Sequence, residues 1–186
     1  MMRIGLVALV MLAVMPSIGY AASAGIEASN NCYDQFRSGN MNAAINYCTA
    51  AIESGDLDND ELVGALINRG VAFRNIKEFE RAVVDYTAAL KLAPGDAMIY
   101  ANRANARREL GELKKALGDA NNAIKLDGER AASFYTRGAV YEAASQLDNA
   151  RKDYAMAFSL APDNVDYRNA VSQVEAKLAQ VNGGQP

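Results

Sequence analysis

The sequence contains no histidine and no tryptophan, and it has only two cysteines and four prolines among its 186 residues. Histidine is the commonest general base at neutral pH and the usual zinc ligand, and two cysteines alone cannot complete a four-ligand zinc site. Glycine-rich phosphate loops and nucleophile elbows are also absent from the sequence. Its carboxylates are typical of solvated helix faces. We therefore expect no catalytic residues, no metal site and no cofactor, in a protein that is not an enzyme.

The charge of the chain is low and mixed in sign. Its 19 lysines and arginines and 22 acidic residues give a formal net charge of −3. Proteins that bind nucleic acid or anionic membranes usually carry a basic patch, and the sequence has no basic run. We therefore expect neither nucleic acid nor an anionic membrane as a partner.

The N-terminal residues have the layout of a secretory signal peptide. Arg3 precedes an apolar run at residues 4–15, and small residues follow as far as Ala24. The run is too short to span a bilayer comfortably, which argues against an uncleaved anchor helix. We expect residues 1–24 to be removed by cleavage after Ala24 or, alternatively, after Ala21. The protein would then be periplasmic or secreted, without stable membrane insertion.

From about residue 63 the sequence repeats itself with an offset of 34 residues. A period of this length is typical of stacked helical units. Small and apolar residues recur at three- and four-residue spacing in two runs per unit, which predicts a pair of helices. The equivalent residues are Gly70, Ala104 and Gly138; Ala82, Ala116 and Ala150; Asp85, Asp119 and Asp153; Ala89, Ala123 and Ala157; Leu92, Leu126 and Leu160; and the turn residues Pro94, Gly128 and Pro162.

This pattern resembles the tetratricopeptide repeat. It is carried by Gly70, Phe73, Ala82, Tyr86, Ala89 and Pro94, and again by Gly138, Tyr141, Ala150, Tyr154, Ala157 and Pro162. The middle unit departs from it, with Arg107, Ala120 and Gly128 where the family prefers aromatic residues and proline. The resemblance implies an all-α fold, a right-handed α-solenoid of helix pairs, with a concave groove that binds peptide segments or partner proteins.

The repeat register also sets the expected boundaries. We expect the solenoid to cover residues 25–181, with regular units at about 63–96, 97–130 and 131–164. A degenerate unit at about 25–58 precedes them if Ala44 is aligned with Ala82, and the four extra residues of that offset fall in the linker 55–60. Residues 165–180 should form a capping helix, which terminal repeats need, and residues 182–186 should be disordered.

Two sets of structural contacts are expected inside the units. Cys32 and Cys48 align with Gly70 and Tyr86 on facing helices, and export would place them in an oxidising compartment, so we expect a disulfide. The alternative is a pair of buried thiols. An arginine also precedes an aspartate by 16 residues in each regular unit, which predicts structural ion pairs between helices: Arg69 with Asp85, Arg103 with Asp119, and Arg137 with Asp153.

The resemblance places the groove on the first helix of each unit. The groove-facing candidates are Tyr33, Arg37, Asn68, Val71, Arg74, Asn102, Asn105, Arg108, Tyr135 and Thr136. Asparagine amides can hold a peptide backbone, and arginine can bind a carboxylate in a bidentate fork. Arg37, Arg74 and Arg108 would form a basic stripe that Glu142 interrupts in the last unit. Alternatively, these residues are ordinary solvated surface.

The linker residues Asp56, Asp58 and Asp60 alternate as in a calcium-binding loop. Glu61 occupies the position where such a loop needs glycine, and Ile67 the position of its bidentate glutamate, so an EF-hand is excluded. A weaker, water-rich calcium site is the remaining alternative to a solvated loop.

These observations favour an exported adaptor or assembly factor of the cell envelope that binds a protein or an extended peptide. A structural subunit of a self-associating or larger envelope complex is the first alternative. An enzyme accessory or degenerate hydrolase is the second. The oligomeric state is left open by the sequence.

Overall fold

A computed structural model of the chain describes residues 23–183. In this range the chain forms helices joined by short turns, and no strand occurs between residues 23 and 183. The helices are α1 Ala24–Arg37, α2 Met41–Ser54, α3 Asn59–Asn75, α4 Phe79–Leu92, α5 Ala97–Glu109, α6 Leu113–Leu126, α7 Ala131–Ala143, α8 Leu147–Leu160 and α9 Val165–Gly183. The prediction of an all-α solenoid of helix pairs is confirmed.

The first helices of the units lie on the inner side of the solenoid. Neighbouring first helices contact each other directly, α1 with α3, α3 with α5, and α5 with α7. Comparable contacts between neighbouring second helices do not occur in the described part of the chain. A stack whose first helices lie closer together than its second helices curves around the first helices, which places α1, α3, α5 and α7 along the concave groove.

Every unit reverses direction between its two helices through a residue in the left-handed region. These residues are Gly39, Lys77, Gly111 and Ser145, with φ of 79°, 65°, 73° and 58°. Glycine adopts this conformation without steric penalty, whereas lysine and serine adopt it at some cost. The turn geometry is therefore the same in all four units, although only two of them have glycine there.

The linker before the first regular unit is shorter than expected. The four extra residues extend α3 by a helical turn, so that α3 begins at Asn59. Asp58 caps this turn, because its Oδ1 accepts from the Glu61 backbone amide at 2.8 Å and the Glu61 Oε2 accepts from the Asp58 amide at 2.9 Å. Asp56 instead accepts from Ser54 Oγ at 2.5 Å, a bond that lowers the pKa of its carboxyl. Asp56 and Asp58 thus serve as helix-terminal acceptors.

The two ends of the solenoid also differ from the expected boundaries. α9 ends at Gly183, so two residues of the expected disordered tail are helical, and residues 184–186 lie outside the described range. The predicted signal peptide lies outside it as well, apart from Ser23 and Ala24. Ser23 caps α1 by accepting from the Ile26 amide at 3.2 Å, and Ala24 begins the helix. Cleavage after Ala24 would remove this cap, whereas cleavage after Ala21 would retain it.

The two helices of each unit cross at one pair of equivalent positions. In the second and fourth units a glycine faces a tyrosine ring, since a Cβ added to Gly70 or Gly138 would lie 2.7 Å from Tyr86 or Tyr154. The third unit has two fully buried alanines here, Ala104 and Ala120. In the first unit the same positions are the two cysteines, and they form a disulfide with Cα atoms 4.8 Å apart.

The three regular units share an ion pair that joins three helices. Arg69 donates from Nε and Nη2 to both oxygens of Asp85 at 2.9 and 2.8 Å, and its Nη1 donates to Thr49 of the preceding unit at 3.0 Å. Arg103 and Arg137 make the same bidentate contacts with Asp119 and Asp153 at 2.7–2.9 Å. Their Nη1 atoms reach back to Thr87 and Asn121. Each arginine therefore joins its own unit and also fastens that unit to the one before.

Candidate functional site

A pocket of about 430 Å³ opens on the inner side of the solenoid, toward its C-terminal end. Four helices contribute to it, because α9 follows α7 along the groove and α8 supplies its floor. The lining residues are Asn105, Arg108, Tyr135, Ala139, Glu142, Ala143, Tyr154 and Lys177. Two cations, Arg108 and Lys177, and one carboxylate, Glu142, line the pocket of this acidic protein.

The carboxylate of Glu142 lies at the centre of the pocket. Its Oε2 accepts from the Tyr154 hydroxyl at 2.6 Å, and its Oε1 accepts from Lys177 Nζ at 2.5 Å. Burial raises the pKa of Glu142, but these two hydrogen bonds and the charges of Lys177 and Arg108 outweigh it and hold the pKa below its ordinary value. Burial and the bond to Glu142 raise the pKa of Tyr154, so that the hydroxyl stays a donor. The network fastens α9 to the fourth unit.

Tyr135 forms an aromatic wall beside this network. Its ring lies 5.4 Å from that of Tyr154 and 5.1 Å from that of Tyr167, both tilted, which is a favourable arrangement for aromatic pairs. Burial raises the pKa of Tyr167. Tyr135, a predicted groove residue, is thus held between α8 and α9 with part of its surface facing the groove.

Thr136 was expected to face the groove, and the structure buries it instead. Only 3% of its surface is exposed, and its hydroxyl accepts from Asn105 Nδ2 at 3.1 Å. It follows Tyr135 on α7 and points across the contact with α5. Its role is to orient Asn105, whose amide oxygen remains available to the pocket.

The predicted groove residues toward the N-terminal end are more dispersed. Tyr33 is 50% exposed, and the Arg37 guanidinium lies over its ring at 5.6 Å. Val71 packs against the core of the second unit, so it contributes less surface to the groove than expected. Asn68 and Asn102 are partly buried on α3 and α5.

The predicted basic stripe has a different environment at each step. Arg37 is exposed, whereas Arg108 pairs with Glu109 at 2.5 Å and lines the pocket. Arg74 is partly buried near Tyr86, and between residues 23 and 183 no carboxylate lies within 4.0 Å of its guanidinium. The stripe ends at Glu142, as its position in the repeat predicts.

Two important groove residues could not be found from the repeat. Lys177 belongs to the capping helix, where no repeat column identifies the inner face. Tyr154 occupies a consensus aromatic position of the repeat, and that position gives no sign that its hydroxyl reaches the pocket. A weak signal for both was Glu142 itself, since an acid inside a column of arginines needs a cationic or hydrogen-bonding partner.

Comparisons with known proteins agree with the architecture. A tetratricopeptide-repeat family model matches residues 63–96. Small glutamine-rich tetratricopeptide repeat-containing protein 2 of Saccharomyces cerevisiae is 32% identical over 108 residues, which are 55% of this chain and 31% of that protein. The chain spans less than a third of the length of the curated relatives it matches.

Two solved structures show how far the likeness extends. MamA of Desulfovibrio magneticus RS-1 superimposes with a TM-score of 0.70 and 20% identity, covering 84% of this chain and 86% of that one. The first tetratricopeptide domain of Spaghetti (RPAP3), bound to the HSP90 peptide SRMEEVD, gives a TM-score of 0.60 and 26% identity, covering 66% and 97%. Helix pairs, repeat columns and relatives agree: the chain has the fold of tetratricopeptide-repeat proteins, and its residues 63–96 match the model of that family.

Proposed function

We propose that this protein binds an extended segment of a partner protein in its concave groove and acts as a non-enzymatic adaptor or assembly factor. The observation that carries the proposal is the pocket between α5, α7, α8 and α9. Arg108, Lys177 and the Asn105 amide there offer hydrogen bonds to a peptide backbone or carboxylate, and Tyr135 offers an aromatic surface. Such a mixture of a few polar groups on an apolar wall is typical of binding sites.

A related groove supports the same assignment. The Spaghetti domain, 26% identical to this chain, is bound to the acidic peptide SRMEEVD. The cations Arg108 and Lys177 in the pocket favour an acidic segment, because electrostatic complementarity raises association rates and excludes partners of the wrong charge.

The place of action is part of the proposal. The buried disulfide between Cys32 and Cys48 supports a periplasmic or secreted protein, since disulfides persist in oxidising compartments. None of the helices between residues 23 and 183 has the length and apolar character of a membrane span. The disulfide therefore supports an adaptor that acts in the cell envelope after its signal peptide has been cleaved.

The proposal is tested by capturing partners from the native cell envelope with three forms of the protein. Arg108→Glu reverses a charge in the pocket, and Arg151→Glu makes the same change at an exposed residue of the second helix α8. We expect the wild type and Arg151→Glu to retain one common set of partners, identified by mass spectrometry, and Arg108→Glu to lose it. Equal capture by all three folded forms would contradict groove binding.

A structural subunit is the alternative function. In that case the partner would be another copy of this chain, and light scattering would show assemblies whose size does not depend on Arg108. A monomer across working concentrations would exclude it.

A further inference from the structure

The tyrosine hydroxyls of the second and fourth units have different partners although the rings are equivalent. Both rings pack on a glycine of the facing helix, with the added Cβ contact at 2.7 Å in each case. Tyr154 donates to Glu142 at 2.6 Å. Tyr86 is fully buried, and within residues 23–183 its hydroxyl has no hydrogen-bonding partner. A buried hydroxyl left without a partner destabilises the folded protein, so its retention needs a reason.

The repeat shows which residue of the second unit stands where Glu142 stands in the fourth. Glu142 is the twelfth residue of its unit, and the equivalent residues in the third and second units are Arg108 and Arg74. Arg108 and Glu142 both line the groove pocket, which places Arg74 on the same inner surface. The second unit therefore has a cation in the position from which the fourth unit supplies a carboxylate.

The electrostatics of the second unit agree with this arrangement. Burial raises the pKa of the Tyr86 hydroxyl, and the nearby charge of Arg74 lowers it in part. The hydroxyl is thus a permanent donor beside an arginine that lacks a carboxylate within 4.0 Å in the described chain. The Tyr86 hydroxyl is a donor and Arg74 is a cation, and an anionic oxygen could accept from both.

We propose that Tyr86 and Arg74 form a carboxylate-binding subsite in the groove, and that Glu142 on Tyr154 is the internal equivalent of the ligand's carboxylate. Because the Tyr86 hydroxyl is buried, side chains around it, Arg74 among them, move when the carboxylate binds. The inference rests on the proposed function, because it assigns one position of the partner segment. The carboxylate belongs to an aspartate, a glutamate or the C-terminus of that segment.

The subsite is tested with labelled SRMEEVD as a probe, by fluorescence anisotropy at low salt. Three further peptides separate the sources of the carboxylate: the C-terminal amide of SRMEEVD, SRMQQVN with a free C-terminus, and SRMQQVN amide. We expect SRMEEVD to bind and SRMQQVN amide to bind at least tenfold more weakly, because the amide peptide loses the hydrogen bonds to a charged group. The two intermediate peptides show whether a side chain or the C-terminus is bound.

Two variants of the subsite have opposite effects on folding and binding. Arg74→Glu copies the fourth unit and gives Tyr86 an internal acceptor, so we expect a higher thermal midpoint together with loss of SRMEEVD binding. Tyr86→Phe removes the unpaired hydroxyl, so the midpoint should stay equal or rise while binding weakens about tenfold. Arg151→Glu, which makes the same charge change on the outer helix α8, should leave both quantities unchanged.

Several outcomes would overturn the inference. They are equal binding of SRMEEVD and SRMQQVN amide by the wild type, unchanged binding by Arg74→Glu or Tyr86→Phe, or a lower midpoint for Tyr86→Phe, which would show that a water already satisfies the hydroxyl. The proposed function has a separate test, since partner capture depends on Arg108. If Arg108→Glu lost the captured partners while Arg74→Glu bound the peptide as before, groove binding would be supported and this subsite would be rejected.

Discussion

The first unit and the three regular units join their two helices by different means. At the crossing point the first unit has the Cys32–Cys48 disulfide, where the second and fourth units have a tyrosine packed on a glycine. The regular units add a bidentate arginine–aspartate pair, and the first unit has Asn31 and Tyr47 at those positions. The first unit thus lacks the ion pair of all three regular units and the aromatic packing of the second and fourth.

This difference indicates that the first unit replaces several non-covalent contacts by one covalent bond. An interior unit packs against a neighbour on each side, whereas within residues 23–183 the first unit packs against the second alone, through α2 and α1 on α3. Stability in a solenoid is roughly the sum of each unit's own stability and its interfaces, so an end unit needs more stabilisation from within. The disulfide supplies this without requiring consensus side chains.

The largest loss is expected where the regular units depend on their ion pair. Asp119 accepts from Arg103 at 2.8 Å and from Arg107 at 2.7 Å, and it is 3% exposed. Asp119→Asn leaves the partly buried guanidinium of Arg103 without a carboxylate and leaves Arg107 with the more distant carboxylate of Glu112, at 3.9 Å. We expect the free energy of unfolding in denaturant to fall by about 3–5 kcal/mol.

The control for this change is Asp148→Asn on α8. Asp148 is 76% exposed and lies 4.0 Å from Arg151, and exposed pairs contribute under about 1 kcal/mol. A loss at Asp119 no larger than the loss at Asp148 would contradict the importance of the pair.

Removal of the disulfide should come next in size. Cys32 and Cys48 are 16 residues apart, and closing a loop of this length stabilises a protein by about 3 kcal/mol in the chain-entropy model. We expect the double variant Cys32→Ala/Cys48→Ala to lose about this amount. Hydrogen exchange should show the loss in α1 and α2 before the later helices. Wild-type unfolding that does not respond to a reductant would contradict the prediction.

The glycine at the crossing point of the second unit should tolerate no side chain. Gly70→Ala places a Cβ 2.7 Å from the Tyr86 ring, and overpacking of this kind costs about 1–3 kcal/mol. Gly64→Ala, on the same helix with nothing within 4 Å of the new Cβ, is the matched control. It should stabilise the protein by about 0.5–1 kcal/mol, because alanine favours helices over glycine. Equal effects of the two substitutions would show that the crossing point is not tight.

The smallest effect on stability is expected at the C-terminal end of the solenoid, where the Glu142–Lys177 contact, and no disulfide, joins α9 to α7. The pKa of Glu142 is lower in the folded protein than its ordinary value, because Lys177 and Tyr154 bind the ionised form more than burial opposes it. Its contribution to stability is therefore complete above the ordinary pKa of a glutamate and is lost as the pH falls through the lowered value. We expect α9 to exchange its amides faster in acid, and Glu142→Gln to show no such dependence. Identical pH profiles for both proteins would contradict this.

Most of the fold follows from the sequence because the repeat is a periodic signal. Equivalent residues such as Gly70 and Gly138 share one environment, so each unit supports the interpretation of the next. The spacing of Arg69 and Asp85 identified partners on two helices by the same reasoning. The helices α4, α6 and α8 end at Leu92, Leu126 and Leu160, directly before the turns that contain proline or glycine.

The site was predicted less well because it depends on departures from the period. The extra turn of α3 begins at Asn59, and the capping box of its N-cap Asp58 with Glu61 could have been found in the linker sequence. Lys177 lies beyond the last repeat, and no column assigns its direction. Thr136 follows the groove residue Tyr135, and a difference of one position on a helix decides between the groove and the contact with α5.

The reach of Arg69, Arg103 and Arg137 back to the preceding unit has a consequence for how long such a chain can be. Each arginine needs an acceptor at one position of the previous second helix, and Thr49, Thr87 and Asn121 all serve. Consider a second copy of residues 97–130 inserted after Arg130. The Arg103 of this copy could donate to the Asn121 of the original unit, and the Asn121 of the copy could accept from Arg137. We therefore expect that copies of this unit can be inserted by evolution or by design, which would lengthen the groove without altering either end of the solenoid.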